Sequence, residues 1–277
     1  MSRQDKDGDD EERGQRAVQS VEVGGRLLLA LSRSPGPMSL KDLAAQAGLP
    51  ASRAHPYLVS FGRLRLIEQD TVSGRYALGA AALQLGLACL HQLDPLRTAQ
   101  PVAEELARST GHAVALAVWG NLGPTVVRLH EARQPLHVAM RVGTVMSVLG
   151  TATGRAFAGV LPPERVHEAL AFGVGPLGER AVAVAPAAEV EAELATARRE
   201  MAEHGLGRAN GRPIPGVNAF SAPALDHEGQ PAIVITALDH QDRLSADWDS
   251  VAARAVRAAA AEISARLGGP GERARGG

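Results

Sequence analysis

Ser52, Arg53, His55, Ser60 and Arg63 crowd one short segment, and none of them belongs to the Ala54, Leu58, Phe61 spacing that marks a buried helical stripe. Short hydroxyl donors and cations on one exposed helix face are what is needed to meet base edges and phosphate oxygens of duplex DNA. Arg75 adds a cation at a nearby turn, while Tyr76 beside it is expected to pack inward. Other constellations lead elsewhere. Gly173-Val174-Gly175-Pro176-Leu177-Gly178 spells G-x-G-x-x-G. A dinucleotide loop needs a strand before it and a helix beginning inside it, whereas here a helix precedes and Pro176 interrupts, so a plain loop is expected. The nine histidines include no pair four residues apart on one helix, and Asp239-His240-Gln241-Asp242 reads as a polar turn at a strand end. No Gly-x-Ser-x-Gly elbow occurs, and Ser221 has no assignable histidine or carboxylate partner. No enzyme activity, metal or cofactor is therefore expected.

Such residues need elements to hold them. A chain of 277 residues with 45% hydrophobic content suggests two soluble domains. No apolar run reaches the ~18 residues of a membrane span, so no membrane partner is expected. Residues 1–16 are polar and acidic, unlike a secretory signal, and read as a disordered tail. The single cysteine, Cys89, excludes an internal disulfide and a cysteine metal cage, which fits a reducing cytoplasm. The net charge of −1 does not announce a nucleic-acid binder, but its distribution is uneven. Residues 17–90 carry seven Lys and Arg against four Asp and Glu, and four of those arginines lie between 53 and 75.

Val21, Gly24, Leu28 and Leu31 predict a helix over 18–31, stopped by Pro35-Gly36-Pro37. Ser39 with Asp42 resembles a capping box ahead of the Leu40, Leu43, Ala44, Ala47 stripe, which Gly48 ends. A third helix opens at Pro50. Two short helices around a Gly-containing turn form the helix-turn-helix signature. Pro56, inside the third helix, predicts either a kink or a helix whose regular part begins only at Pro56. Residues 66–78 read as a hairpin, or wing, around Thr71-Val72-Ser73-Gly74. Residues 80–93 read as a helix whose Leu83, Leu87 and Leu90 suit a partner helix.

Beyond Pro95 the pattern is mixed. Helices are expected at 102–109, 153–161, 163–171, 187–204 and 245–267. Strands are expected at 112–119, where alternation implies a half-buried strand, then at 125–131, 217–225 and 232–238, with 136–141 following the second. Strands in one run with helices on one side suggest an α+β sensor domain.

Taken in order, residues 21–31, 39–49, 73–79, 150–156 and 216–226 resemble the IclR family of transcription regulators over about residues 17–268. The resemblance implies a winged helix-turn-helix DNA-binding domain (17–79), a linker helix (80–94), a GAF/PAS-like effector domain (95–268) and a short disordered tail (269–277). It also implies double-stranded DNA with a palindromic operator, a small-molecule effector, and a homodimer or homotetramer as partners. The DNA-binding residues would be Ser39, Ser52, Arg53, His55, Ser60, Arg63 and Arg75. Effector-facing positions would be Ala152, Thr153, Asn210 or Ala209 in a loop, Ala219, Thr236 and Leu238. Ala219 and Leu238 are apolar where members that bind small oxo-acids are more polar, which implies an aromatic or largely apolar acid. Pro56 stands where the family's third helix usually has a basic residue, and Arg65 where that helix usually ends in glycine. Pro56 and the weak net charge leave an alternative: a sensor whose degenerate DNA head serves as a dimerisation or scaffold module.

Overall fold

In the computed structural model, the described residues are 18–136, 138, 140–171 and 186–270. The expected tail at 1–16, the Gly173–Gly178 loop and most of the 269–277 tail lie outside them. The chain divides into two compact units, Met1–Gln92 and Leu93–Gly277.

In the first unit, α1 (Gln19–Arg33) buries Val23, Leu27, Ala30 and Leu31. Of the expected stripe, Gly24 and Leu31 are buried, whereas Val21 is 70% exposed and Leu28 only half-buried. Leu27, Leu28 and Leu29 are consecutive, so two adjacent helix faces are apolar and only packing selects one. The short α2 (Leu40–Gln46) is capped by Ser39, whose Oγ accepts the Asp42 N–H at 3.2 Å and donates to the Asp42 carboxylate at 2.7 Å. Gly48, at φ +67°, turns the chain into α3 (Ala51–Arg63). Pro56 lies within α3, so the helix does not begin there. The proline removes the N–H that would have bonded the Ser52 carbonyl.

The exit from α3 is a Schellman motif: Leu66 N–H donates to the Phe61 carbonyl at 3.0 Å and Arg65 N–H to the Gly62 carbonyl at 2.9 Å. Arg65 holds the left-handed position at φ 59°. Next come β1 (Ile67–Gln69) and β2 (Tyr76–Leu78), paired antiparallel with Ile67 opposite Leu78. The Asp70 carboxylate accepts the N–H groups of Val72 and Ser73 at 2.9 and 2.6 Å, which closes the turn and holds its pKa below the ordinary carboxylate value. Met38 bridges to Tyr76 as a third short rung. Tyr76 packs inward with Val23, Leu27, Leu43, Ala54, Leu58 and Ile67. The closing helix of the unit, α4 (Ala80–Gln92), buries no residue.

In the second unit, α5 (Pro95–Thr110) starts on Asp94, whose carboxylate caps the N–H groups of Leu96 and Arg97. It leads into β3 (Ala113–Gly120) and β4 (Gly123–His130). Then follow α6 (Ala152–Ala158), α7 (Pro163–Ala171), α8 (Ala187–His204), β5 (Gly207–Asn210), β6 (Val217–Leu225), β7 (Pro231–His240) and α9 (Val251–Arg266). The five strands form one antiparallel sheet in the order β4-β3-β7-β6-β5.

Both faces of the sheet are covered, which corrects the expectation of helices on one side. α5 and α9 pack on Val114, Leu116, Phe220, Ile233 and Ile235. Phe157, Val166 and Leu194, from α6, α7 and α8, cover Ala117 and Val234 on the other face. For the same reason β3 is not half-buried: Ala113, Ala115 and Ala117 are as enclosed as Val114 and Leu116. Among the described residues of 136–141 there is no strand. Nor does the last helix reach back to Ser245. It begins after Ser250, whose Oγ accepts the Ala253 N–H, because 245–250 form side-chain-closed turns on Ser245 and Asp247.

Candidate functional site

At 100° per residue, the buried Ala54 and Leu58 of α3, together with the half-buried Tyr57 and Phe61 that pack beside them, fix the opposite, solvent-facing side. Its centre is Ser52, Pro56, Val59 and Arg63. Arg53 and Ser60 flank it on one edge, His55 and Gly62 on the other. All are exposed and α3 carries no acidic residue. Ser60 Oγ donates to the Pro56 carbonyl at 3.1 Å, which leaves its oxygen free as an acceptor. His55, Val59 and Gly62 line one side of a cleft of about 390 Å3, with Arg65, Gln69 and Tyr76 on the hairpin side. Two expected residues are already engaged. Ser39 is a helix cap, and the Arg75 guanidinium donates to the Pro37 carbonyl at 3.1 Å. Pro56 and Val59 as the apolar middle of this face were missed, although the helical period alone places them there.

In the second unit, Ala152, Thr153, Ala219, Thr236 and Leu238 line one cavity of about 50 Å3. Asn210 does not. It lies on the edge strand β5, not in a loop, and strand alternation turns it outward while its neighbour Ala209 lines the cavity. The rest of the wall includes Met140, Met146, Ile214 and Arg212, which the sequence pattern did not single out. The cavity is mostly apolar, with a chain of buried hydroxyls at its base. Thr236 Oγ1 is 2.8 Å from Thr153 Oγ1 and 2.7 Å from Ser221 Oγ. Each hydroxyl owns one proton. Two hydrogen bonds use two of the three, so one proton is left for a further acceptor, and Thr153 is the end of the chain that lines the cavity.

Thr153 is held there by close backbone packing of α6. A Cβ on Gly154 would lie 2.2 Å from the carbonyl oxygens of Ser147 and Val148, and one on Gly207 would lie 2.4 Å from that of Ala152. Arg155 ties α6 to α8 through Glu193 and Glu200, each at 2.8 Å. Burial disfavours its charge, but the two carboxylates overcome this and raise its pKa. At the end of β7, the buried Asp239 joins His112 Nδ1 at 2.9 Å and Arg243 Nε at 2.9 Å.

A helix-turn-helix with a hairpin wing, in one chain with an antiparallel sheet domain covered on both faces, defines a DNA-binding transcription regulator. Residues 20–71 match the model of the IclR helix-turn-helix domain, and residues 87–265 that of the bacterial transcriptional regulator IclR C-terminal domain. The chain belongs to the IclR family, whose members are non-enzymatic transcription factors. It is 30% identical over 259 residues to the glycerol operon regulatory protein of Streptomyces griseus, covering 91% of this chain and 98% of that protein. The match to the Streptomyces coelicolor protein of the same name is 32% over 151 residues, 53% of this chain and 58% of that one. The Escherichia coli transcriptional repressor IclR is 25% identical over 259 residues, 91% of each chain. Among solved structures, Pseudomonas aeruginosa HmgR superposes with a TM-score of 0.81 at 34% identity, covering 92% of this chain and all of that one.

Proposed function

We propose that this protein is a cytoplasmic repressor that binds a palindromic operator as a homodimer and answers to a small organic acid with an apolar, aromatic body. The observation that carries the effector class is the make-up of the cavity: Ala152, Ala219, Leu238, Met140 and Met146 form its walls, the Thr153 hydroxyl ends the hydroxyl chain there and donates when Ser221 and Thr236 supply the protons of the two internal bonds, and Arg212 supplies a cation. A carboxylate meets Thr153 and Arg212 while the ring meets the walls. Dimerisation is supported by α4, where Leu83, Leu85 and Leu87 are 64, 63 and 46% exposed. A helix that is apolar all round needs partners, and a second copy supplies them. The family names of the relatives, a repressor among them, support the regulatory role.

A thermal-shift series on the full chain tests the effector class. A ligand that binds only the folded state raises the melting temperature by mass action. Benzoate and phenylacetate are expected to stabilise the protein, and Arg212→Gln to weaken that effect. Stabilisation by pyruvate and glyoxylate alone would refute the size and polarity argument.

A further inference from the structure

Two of the four residues at the centre of the solvent-facing side of α3 are apolar. Pro56 and Val59 stand three residues apart, Val59 is 44% exposed, and Pro56 is exposed beside it. They are the large apolar side chains on a face whose other members are serines, arginines, His55 and Gly62. In a helix-turn-helix this is the face that enters the major groove. There, among the four bases, only thymine offers an apolar group, its C5-methyl; every other base edge shows donors or acceptors alone.

We propose that Pro56 and Val59 read thymine C5-methyl groups, so that the operator carries thymine at the positions facing the middle of α3. The inference rests on the DNA-binding assignment and deepens it. Discrimination acts in both directions. A methyl group against Val59 and Pro56 leaves water, which is favourable. Cytosine N4 or guanine O6 against the same side chains loses its water partner and finds no replacement, which is unfavourable. Both side chains are stiff, one a ring and the other β-branched with one preferred helical rotamer, so contact sacrifices little freedom. Arg53 and Arg63 at the edge and end of the face meet phosphates and hold the register.

The test uses the full-length protein. Duplexes are selected from a random library, and the enriched site is resynthesised with deoxyuridine in place of one thymidine at a time, which removes the methyl group and nothing else. Binding is read by fluorescence anisotropy. At least one thymine per half-site is expected to show about a fourfold loss of affinity, the worth of one buried methyl-sized group. Val59→Ala and Pro56→Ala are exposed changes to a better helix former, checked for folding by circular dichroism. At that position at least one of them should bind thymidine and deoxyuridine duplexes equally. The proposal is overturned if no thymine responds to loss of its methyl, or if both variants keep the full response. Failure of any duplex to enrich overturns DNA binding itself, and this reading with it, and is recognisable as that separate result.

Discussion

Arg65 is the one described residue other than glycine with a positive φ, and it holds the left-handed place that ends α3. An L-residue there brings its Cβ against the following carbonyl at a cost of roughly 1–2 kcal/mol. Glycine avoids this, but its freer unfolded chain returns about 0.4–1 kcal/mol of the gain. The backbone bonds of the motif, from Arg65 N–H to Gly62 and from Leu66 N–H to Phe61, survive the change, as does that from Ala81 N–H to the Arg65 carbonyl. The Arg65 side chain is exposed, so little packing is lost. Arg65→Gly should therefore stabilise the first unit by about 1 kcal/mol. Hydrogen exchange read by mass spectrometry on peptides spanning 51–66 localises the effect. A gain of that size slows exchange through unit-wide opening about fivefold, whereas peptides from β6 and β7 should be unchanged. Arg65→Ala is the control, because it removes the charge and keeps the Cβ. If Arg65→Ala protects α3 as much as Arg65→Gly does, or if neither protects it, strain at φ 59° is not the cause and the reasoning fails.

Four further outcomes are expected. Arg53→Ala should lower the slope of log K against log salt for operator binding by about 1, the share of one phosphate contact; an unchanged slope and affinity would remove Arg53 from the interface. Asp239→Asn should destabilise the second unit by about 1–3 kcal/mol, the worth of hydrogen bonds to a charged group. Burial opposes the Asp239 charge, yet Arg243, His112 and the His240 N–H outweigh it and depress the folded pKa. That stability is thus complete above the unfolded value near ~4 and fades as pH falls through the folded one, so melts of parent and variant should converge in acid; a difference that persists there contradicts the assignment. Met146→Ala should cost roughly 2–5 kcal/mol by enlarging the cavity, and benzoate should restore part of it; equal destabilisation with and without benzoate would count against the cavity as the binding site. Gly154→Ala should abolish the stabilisation by aromatic acids, because α6 must move away from the Ser147 and Val148 carbonyls and take Thr153 with it; an unaltered thermal shift would show that the contact is pliable.

What could be read from the residues depended on how local the cause was. The helix 187–204, the Ser39 cap, the hairpin turn and the strands at 217–225 and near 232–238 follow from spacing, capping and turn chemistry within a few residues, and they stand as expected. The sidedness of β3 did not, because alanines at 113, 115 and 117 look indifferent to burial until α6, Val138, Met140 and Met146 cover them. β5 was missed for a related reason. Four residues, Gly-Arg-Ala-Asn, have weak strand propensity, and pairing with β6 makes the strand. That one omission also misassigned the polar position at the cavity, since Ala209 and Asn210 exchange faces once the segment is extended. Arg212 was illegible altogether. Its place at the cavity depends on the 211–216 loop, for which no periodicity exists.

The size of the cavity gives the proposed switch its physical content. About 150 Å3 is needed to hold a benzene-sized group, roughly three times the space present. A ligand must push one wall outward, and the walls differ in how far they can yield. On one side α6 is clamped: Gly154 against the 147–148 backbone, Gly207 against Ala152, and Arg155 into Glu193 and Glu200. On the other side stand Met140 and Met146, unbranched side chains that repack at low cost. Met146 N–H is bonded to the Pro124 carbonyl at 2.7 Å, Gly143 N–H to Val126 at 2.8 Å and Val126 N–H to Thr144 at 2.9 Å, so this wall is a rung laid along β4. Opening the cavity therefore works against the outer edge of the sheet and leaves the α6 side in place. A ligand shifts a conformational equilibrium only by its difference in affinity for the two states. For the aromatic effector proposed above, that difference would be the gap between this methionine wall, closed on a cavity of about 50 Å3, and one opened far enough to admit a ring. In the proposed switch the signal would then leave the cavity through the β4 edge and the 140–146 segment bonded to it.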